Sequence, residues 1–125
     1  MKNELVTIQK RNNLNIVLAV GEKGAGGAIH TYEIAANEEN PEWPKAILAT
    51  IQFQHGPRNE EGSIRGVLDG DLLEIVRDRL KAFQAGEYAT RENAIALTHI
   101  EEALLWMNKR VEDRAARGVL GTTIK

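Results

Sequence analysis

The chain has 125 residues, with 16 Lys and Arg against 18 Asp and Glu and a formal net charge of -2. It is long enough for a single fold, yet it lacks the broad basic surface with which a duplex nucleic-acid binder neutralises many phosphates. With no cysteine it has no disulfide framework, thiolate zinc site or cysteine nucleophile, which fits a reducing cytoplasm.

The N-terminus, Met1 to Asn12, is polar and lacks the basic-then-apolar order of a secretory signal. No apolar run approaches the ~20 residues that span a bilayer, so the chain reads as soluble and cytosolic. The first half reads as a meander of about four strands. Val6 and Ile8 alternate with Thr7 and Gln9, Ile16 to Val20 is a short apolar run, and Ala28 to Ala35 and Ala46 to Gln54 carry β-branched and aromatic residues. Asn12-Asn13 is a turn signal, and Glu38 to Pro44 is a polar loop. The glycine-rich stretch Gly21 to Gly27 lacks the Lys-Ser/Thr ending of a P-loop and falls between two strands, so it reads as a hairpin tip.

The second half reads as two helices. Asp71, followed three residues later by Glu74, is a start resembling a capping box, and Leu72, Val76, Leu80 and Phe83 keep the helical step until Gly86. Thr90 caps a second helix rich in good formers that runs to Ala116 before Gly118 stops it. An arm of about 40 Å results, longer than so small a domain covers by itself, which predicts burial by a partner subunit. Leu97, Ile100, Leu104, Met107 and Val111 form its apolar seam. His99, Ala103, Trp106, Arg110, Arg114 and Arg117 form a second stripe that becomes strongly cationic. The fold class expected is α+β, an N-terminal antiparallel β-meander over residues 1–57 followed by a two-helix antiparallel hairpin over 58–125 that mediates oligomerisation, in one compact domain.

Charge is polarised along the second helix. From Met107 onward Lys109, Arg110, Arg114, Arg117 and Lys125 face only Glu112 and Asp113, whereas from Gly86 to Leu105 Arg91 stands against Glu87, Glu92, Glu101 and Glu102. The arginine stripe is either a solvated face pairing with Glu112 and Asp113 or a set of phosphate forks, and Trp106 in the same row favours a ligand. Phe83 is core or presents its ring near the turn. Asn93 either ties down the connecting loop or reads the edge of a base. His30, His55 and His99 have no metal-ligand spacing. The acid pairs Glu60-Glu61, Glu101-Glu102 and Glu112-Asp113 read as solvated faces rather than acid-base groups.

One ordered series of residues goes further. Phe53-Gln-His-Gly-Pro-Arg58, Gly66, Asp71-Leu-Leu-Glu-Ile-Val-Arg-Asp-Arg-Leu80, Phe83-Gln-Ala-Gly86, Arg91-Glu-Asn-Ala94, Glu101-Glu-Ala-Leu104-Leu-Trp106, Arg110, Arg114 and Arg117-Gly-Val-Leu-Gly-Thr122 together resemble the hairpin domain of phage anti-defence "sponge" proteins. It is similar to the Thoeris anti-defence branch in particular, which too carries a strand-rich extension ahead of the hairpin. A related hairpin occurs in the smaller sponge directed against cyclic-oligonucleotide (CBASS) signalling.

The resemblance implies a phage protein in the cytoplasm of the infected bacterial host that sequesters a nucleotide alarm signal without cleaving it, uses no cofactor or metal, and is not an enzyme. The signal implied is glycocyclic ADP-ribose, made from NAD by TIR-domain enzymes. It further implies homodimers that can associate into hexamers as trimers of dimers, with cyclic dinucleotides or trinucleotides held at separate sites in some members. By the same likeness Phe83 and Arg110 sandwich adenine, Asn93 reads the polar edge, and Arg58 and Arg114 hold phosphate or ribose oxygens, with Trp106 beside them. Arg91 and Thr122 are second-site candidates. No DNA duplex or membrane is implied as a partner. Two rival readings are a helical-hairpin module docking a host protein through Trp106, and a nucleotide hydrolase.

Overall fold

Backbone pairing along alternating, β-branched segments builds the first half. In a computed structural model, which describes residues 1–9, 14–37 and 46–125, strand β1 covers Lys2–Glu4, β2 Asn15–Val20, β3 Thr31–Ala36 and β4 Ile47–Gln52. They form one antiparallel sheet in the order β1-β2-β3-β4, the meander expected. β2 and β3 pair along their whole length, from Asn15↔Ala36 to Val20↔Thr31. β4 joins β3 with a bulge at Ile34/Ala35. The Gly21 to Gly27 stretch connects β2 to β3, closing a short 3₁₀ turn in which the Gly27 N–H donates to Gly24 O, with the Gly24 N–H donating across it to Ala28 O. The Asn12-Asn13 turn and the Glu38 to Pro44 loop lie outside the described residues.

The first strand corrects the expectation. Val6 and Ile8 are 93% and 99% exposed and stand outside any strand. Alternation alone gives nothing to hold when no surface covers the apolar side, and the strand forms instead where the ladder continues, with Lys2 opposite Val20. Lys2 reaches across β2 to a half-shielded Glu33 on β3, at 2.7 Å. Small residues fill this sheet's interior, Ala19 and Ala36 being buried. Tyr32 meets Phe53 edge-on at 5.7 Å, and His30 stacks on His55 at 4.3 Å.

Helix α1 spans Asp69–Gln84 and α2 spans Arg91–Ala116. α1 begins two residues earlier than the expected capping box at Asp71. Asp71 lies in its first turn and its Oδ2 accepts from the Leu68 N–H at 2.9 Å, so the carboxylate closes back onto the residue ahead of the helix and also faces the positive end of the helix dipole. α2 has the predicted limits, with Thr90 Oγ1 accepting the Asn93 N–H at 3.0 Å. The two pack on each other through half-buried Leu72, Leu73 and Leu80 on one and Leu97, Ile100 and Leu104 on the other. Arg77 Nε donates across to Glu101 Oε2 at 2.8 Å. That bond first, then the one to Glu74, holds the Arg77 guanidinium above its ordinary pKa. With 16 and 26 residues, α1 is about 24 Å long and α2 about 39 Å, so α2 outruns its partner, and Met107 and Val111 of its seam are left exposed.

By internal contacts the chain divides into two units, Met1–Gly56 with Gly62–Gly66 and Pro57–Glu61 with Val67–Lys125. No helix among the described residues is long and apolar enough to cross a membrane.

Candidate functional site

At the turn end of the helical hairpin a side chain does the work of a backbone turn. Gln84 Nε2 donates to Thr90 O at 3.0 Å while Gln84 Oε1 accepts the Thr90 N–H at 3.0 Å. This two-way amide bond closes the connector between the helices and fixes the residues on either side of it. Phe83 is 38% exposed, with the Arg79 guanidinium 5.5 Å from its ring centroid. It is therefore not enclosed by this chain. Asn93 is half-buried in the first turn of α2. Its backbone is held by Thr90, and its side-chain amide has no hydrogen-bond partner among the described residues. Gln84, not Asn93, ties down the loop. Arg91 is exposed at the first position of α2.

At the far end Trp106, Arg110, Arg114 and Arg117 line one open groove of about 680 Å³ together with the C-terminal tail, so these four members of the stripe read from helical spacing share a face, while His99 and Ala103 do not line it. Its members are committed differently. Arg114 Nη2 donates to Val119 O and Thr122 O, both at 3.0 Å. Thr122 Oγ1 donates to the same Val119 carbonyl at 2.6 Å. Arg117 bonds the Lys125 carbonyl, and Lys109 pairs with Asp113 at 3.0 Å. Arg110 makes no hydrogen bond or ion pair among the described residues, and the Trp106 indole is 71% exposed. Arg58 joins this end because the Asn59 N–H donates to Gly121 O at 3.3 Å, which lays the segment Pro57–Glu61 against the tail.

The residues implicated by sequence thus fall into two clusters on one helical hairpin: Phe83, Asn93 and Arg91 at the turn, and Trp106, Arg110, Arg114, Arg58 and Thr122 at the other end. At about 1.5 Å per residue, Asn93 and Arg110 are about 25 Å apart along α2. Phe83 and Arg110 of one chain cannot lie on opposite faces of one adenine.

Among the described residues no three His, Asp or Glu side chains gather as for a metal ion. Several carboxylates are engaged in holding the helices, Asp71 on the Leu68 N–H, Glu74 and Glu101 on Arg77, and Asp113 on Lys109. His99 lies 3.9 Å from Glu102 on the exposed side of α2. The Gln84 bridge and the carbonyl clamp of Arg114 were not read from the sequence, since neither shows a periodicity or motif that would mark it.

Two comparisons bear on this arrangement. The family described as Acb2/Tad1, hairpin domain, matches residues 45–112, more than half of the chain. The match takes in Arg58, Phe83, Arg91, Asn93, Trp106 and Arg110 and ends before Arg114 and Thr122. A protein of Bacillus phage SBSphiJ7 named Thoeris anti-defense 1 is 52% identical over 75 residues, covering 60% of this chain and 52% of that relative. The alignment therefore spans about half the length of the phage protein.

Proposed function

The chain belongs to the Acb2/Tad1 hairpin-domain family, and on that premise we propose that it is a phage counter-defence protein that sequesters a nucleotide immune signal. The signal is glycocyclic ADP-ribose, held without cleavage in the cytoplasm of the infected host. The observation that carries this reading is the pair of clusters on one helical hairpin. Among the described residues, an exposed ring and an unpaired amide at one end suit an adenine, and an uncommitted guanidinium and an indole at the other suit phosphates and ribose. A cyclic diphosphate with one base needs both kinds of group. Since one chain holds them about 25 Å apart, a second copy brings the turn of one helical hairpin to the far end of the other, and the binding unit is a homodimer or a hexamer built from three dimers. Thr122 in the cationic groove and Arg91 at the turn are the candidates for a second site taking cyclic dinucleotides or trinucleotides.

Sequestration also fits the chemistry that the helices leave available. Asp71, Glu101 and Asp113 are tied to backbone, arginine and lysine partners, and burial with slow release needs no reactive group. The test is to mix purified protein with glycocyclic ADP-ribose, remove free ligand, denature by heat and identify what is released by mass spectrometry. Intact signal at near one per subunit is expected, and less of it should be retained by Phe83→Ala. Altered product would make the protein a hydrolase.

A second reading draws on Leu105 and Trp106, each 71% exposed, which suit a surface docking a host protein. It predicts that Trp106→Ala breaks a protein complex while neither the signal nor cyclic oligonucleotides are retained by the wild type.

A further inference from the structure

We infer that Gly121 is a positioning residue for Arg58: the bare α-carbon of the C-terminal turn is the surface along which the Arg58 side chain is laid, so that its guanidinium is aimed before any ligand arrives. This rests on the sequestration reading for what Arg58 then holds, an anionic oxygen of the nucleotide. The placement itself rests on geometry within one unit of the chain.

The turn after α2 is fixed from three directions. Arg114 takes the carbonyls of Val119 and Thr122, Val119 is buried with only 9% of its surface exposed, and the Asn59 N–H takes the Gly121 carbonyl. Two glycines in it have left-handed backbones, Gly118 at φ +73 and Gly121 at φ +79. A side chain at either position carries a similar backbone cost, because a β-carbon crowds its own carbonyl in this region. Their surroundings differ. A β-carbon on Gly118 would meet nothing within 4 Å, whereas one on Gly121 would fall 2.5 Å from Asn59 Nδ2, 3.0 Å from Arg58 Nε and 3.1 Å from Arg58 Cγ. Only the second substitution pushes on Arg58.

The consequence is one of pre-organisation. An exposed arginine loses much rotamer freedom when it grips an anion. Arg58 is exposed and its guanidinium has no hydrogen-bond or ion-pair partner among the described residues, so packing of its stem and Nε against Gly121 is what restricts it. Arg114, on this account, serves the site by holding the turn.

The experiment compares Gly121→Ala with Gly118→Ala in the full-length protein. Both should lower the melting temperature, Gly121→Ala by more, since its β-carbon also meets Asn59 Nδ2 at 2.5 Å. The Arg58 Nε–H resonance of the ligand-free protein, assigned by its loss in Arg58→Ala, should move in Gly121→Ala and stay in Gly118→Ala. Affinity for glycocyclic ADP-ribose should fall about tenfold in Gly121→Ala alone, the scale of one charge-assisted hydrogen bond, and should fall no further when Gly121→Ala is added to Arg58→Ala. Gly121→Asn, which takes the left-handed region more readily than alanine, repeats the comparison at lower backbone cost. Equal behaviour of the position 118 and 121 variants, or an affinity loss that persists without Arg58, overturns the positioning role. If the wild type retains no nucleotide, the sequestration reading fails, and the resonance alone decides whether Gly121 sets Arg58: movement confined to the position 121 variants supports it, and none overturns it.

Discussion

A single aromatic side chain illustrates how burial and function separate at the residue scale. Phe83 is partly exposed and shares one face of its ring with Arg79, so removing it forfeits only part of a phenylalanine's burial, about 1 kcal/mol of stability. A ring stacked on a base is worth ~1–3 kcal/mol, so Phe83→Ala should keep the fold and weaken glycocyclic ADP-ribose binding about tenfold to a hundredfold. Calorimetric titration beside a thermal melt separates the two quantities, and a large drop in melting temperature with little change in affinity would make Phe83 a core residue after all. Gly66 is the opposite case. A β-carbon there would collide with the backbone of Gln52 and Phe53, which side-chain motion cannot relieve, so Gly66→Ala should cost about 2 kcal/mol or more, as overpacking does, read as a lower denaturation midpoint. The sequence marked Gly66 only as one of a series, because the strand it must approach lies 13 residues earlier in the chain and no local pattern reports a close approach at that separation.

Local chemistry was legible at the element scale wherever one residue decides it. Thr90 as a cap and Gly118 as a stop are short-range effects, and α2 has those limits. Val6 and Ile8 failed because alternation is only half of a strand signal; the other half is a surface to cover the apolar side, which the residues themselves cannot report. Asp71 was read as opening α1 and instead lies in its first turn, since an acid serves a helix start equally well from the cap or a few residues inside it. Gln84 was missed because its partner is six residues away across an irregular connector. Gln84→Ala should therefore release the Thr90 N–H and leave the Thr90 carbonyl with the Ala94 N–H alone, costing about 1 kcal/mol, and speed amide exchange through residues 85–90 while the middle of α2 stays protected. Unchanged exchange in the connector would mean that the turn holds itself.

Taken as a whole, the molecule leaves both of its helices without a buried residue. Among the described residues only Ala19, Ala36 and Val119 are buried, although the seam and the clusters were readable from spacing. Spacing says which residues share a face and not what covers that face, so it set Phe83 at the turn and the Trp106 and Arg110 stripe toward the other end of α2 without saying what completes either cluster. If two copies complete one another, a mixing experiment follows from symmetry. Phe83→Ala and Arg110→Ala should each bind glycocyclic ADP-ribose poorly when purified alone. In a hybrid dimer one site combines both substitutions, while the other takes Phe83 from one chain and Arg110 from its partner and is intact. Unfolding and refolding the two variants together in equal amounts makes about half of the dimers hybrid, so about a quarter of all sites should regain wild-type affinity. Sites built within one chain would gain nothing from mixing, because every chain in the mixture lacks one of the two groups. Stoichiometry near a quarter with wild-type affinity therefore places the Phe83 and the Arg110 of one site on different subunits, and zero recovery from dimers shown to have exchanged places them on the same one.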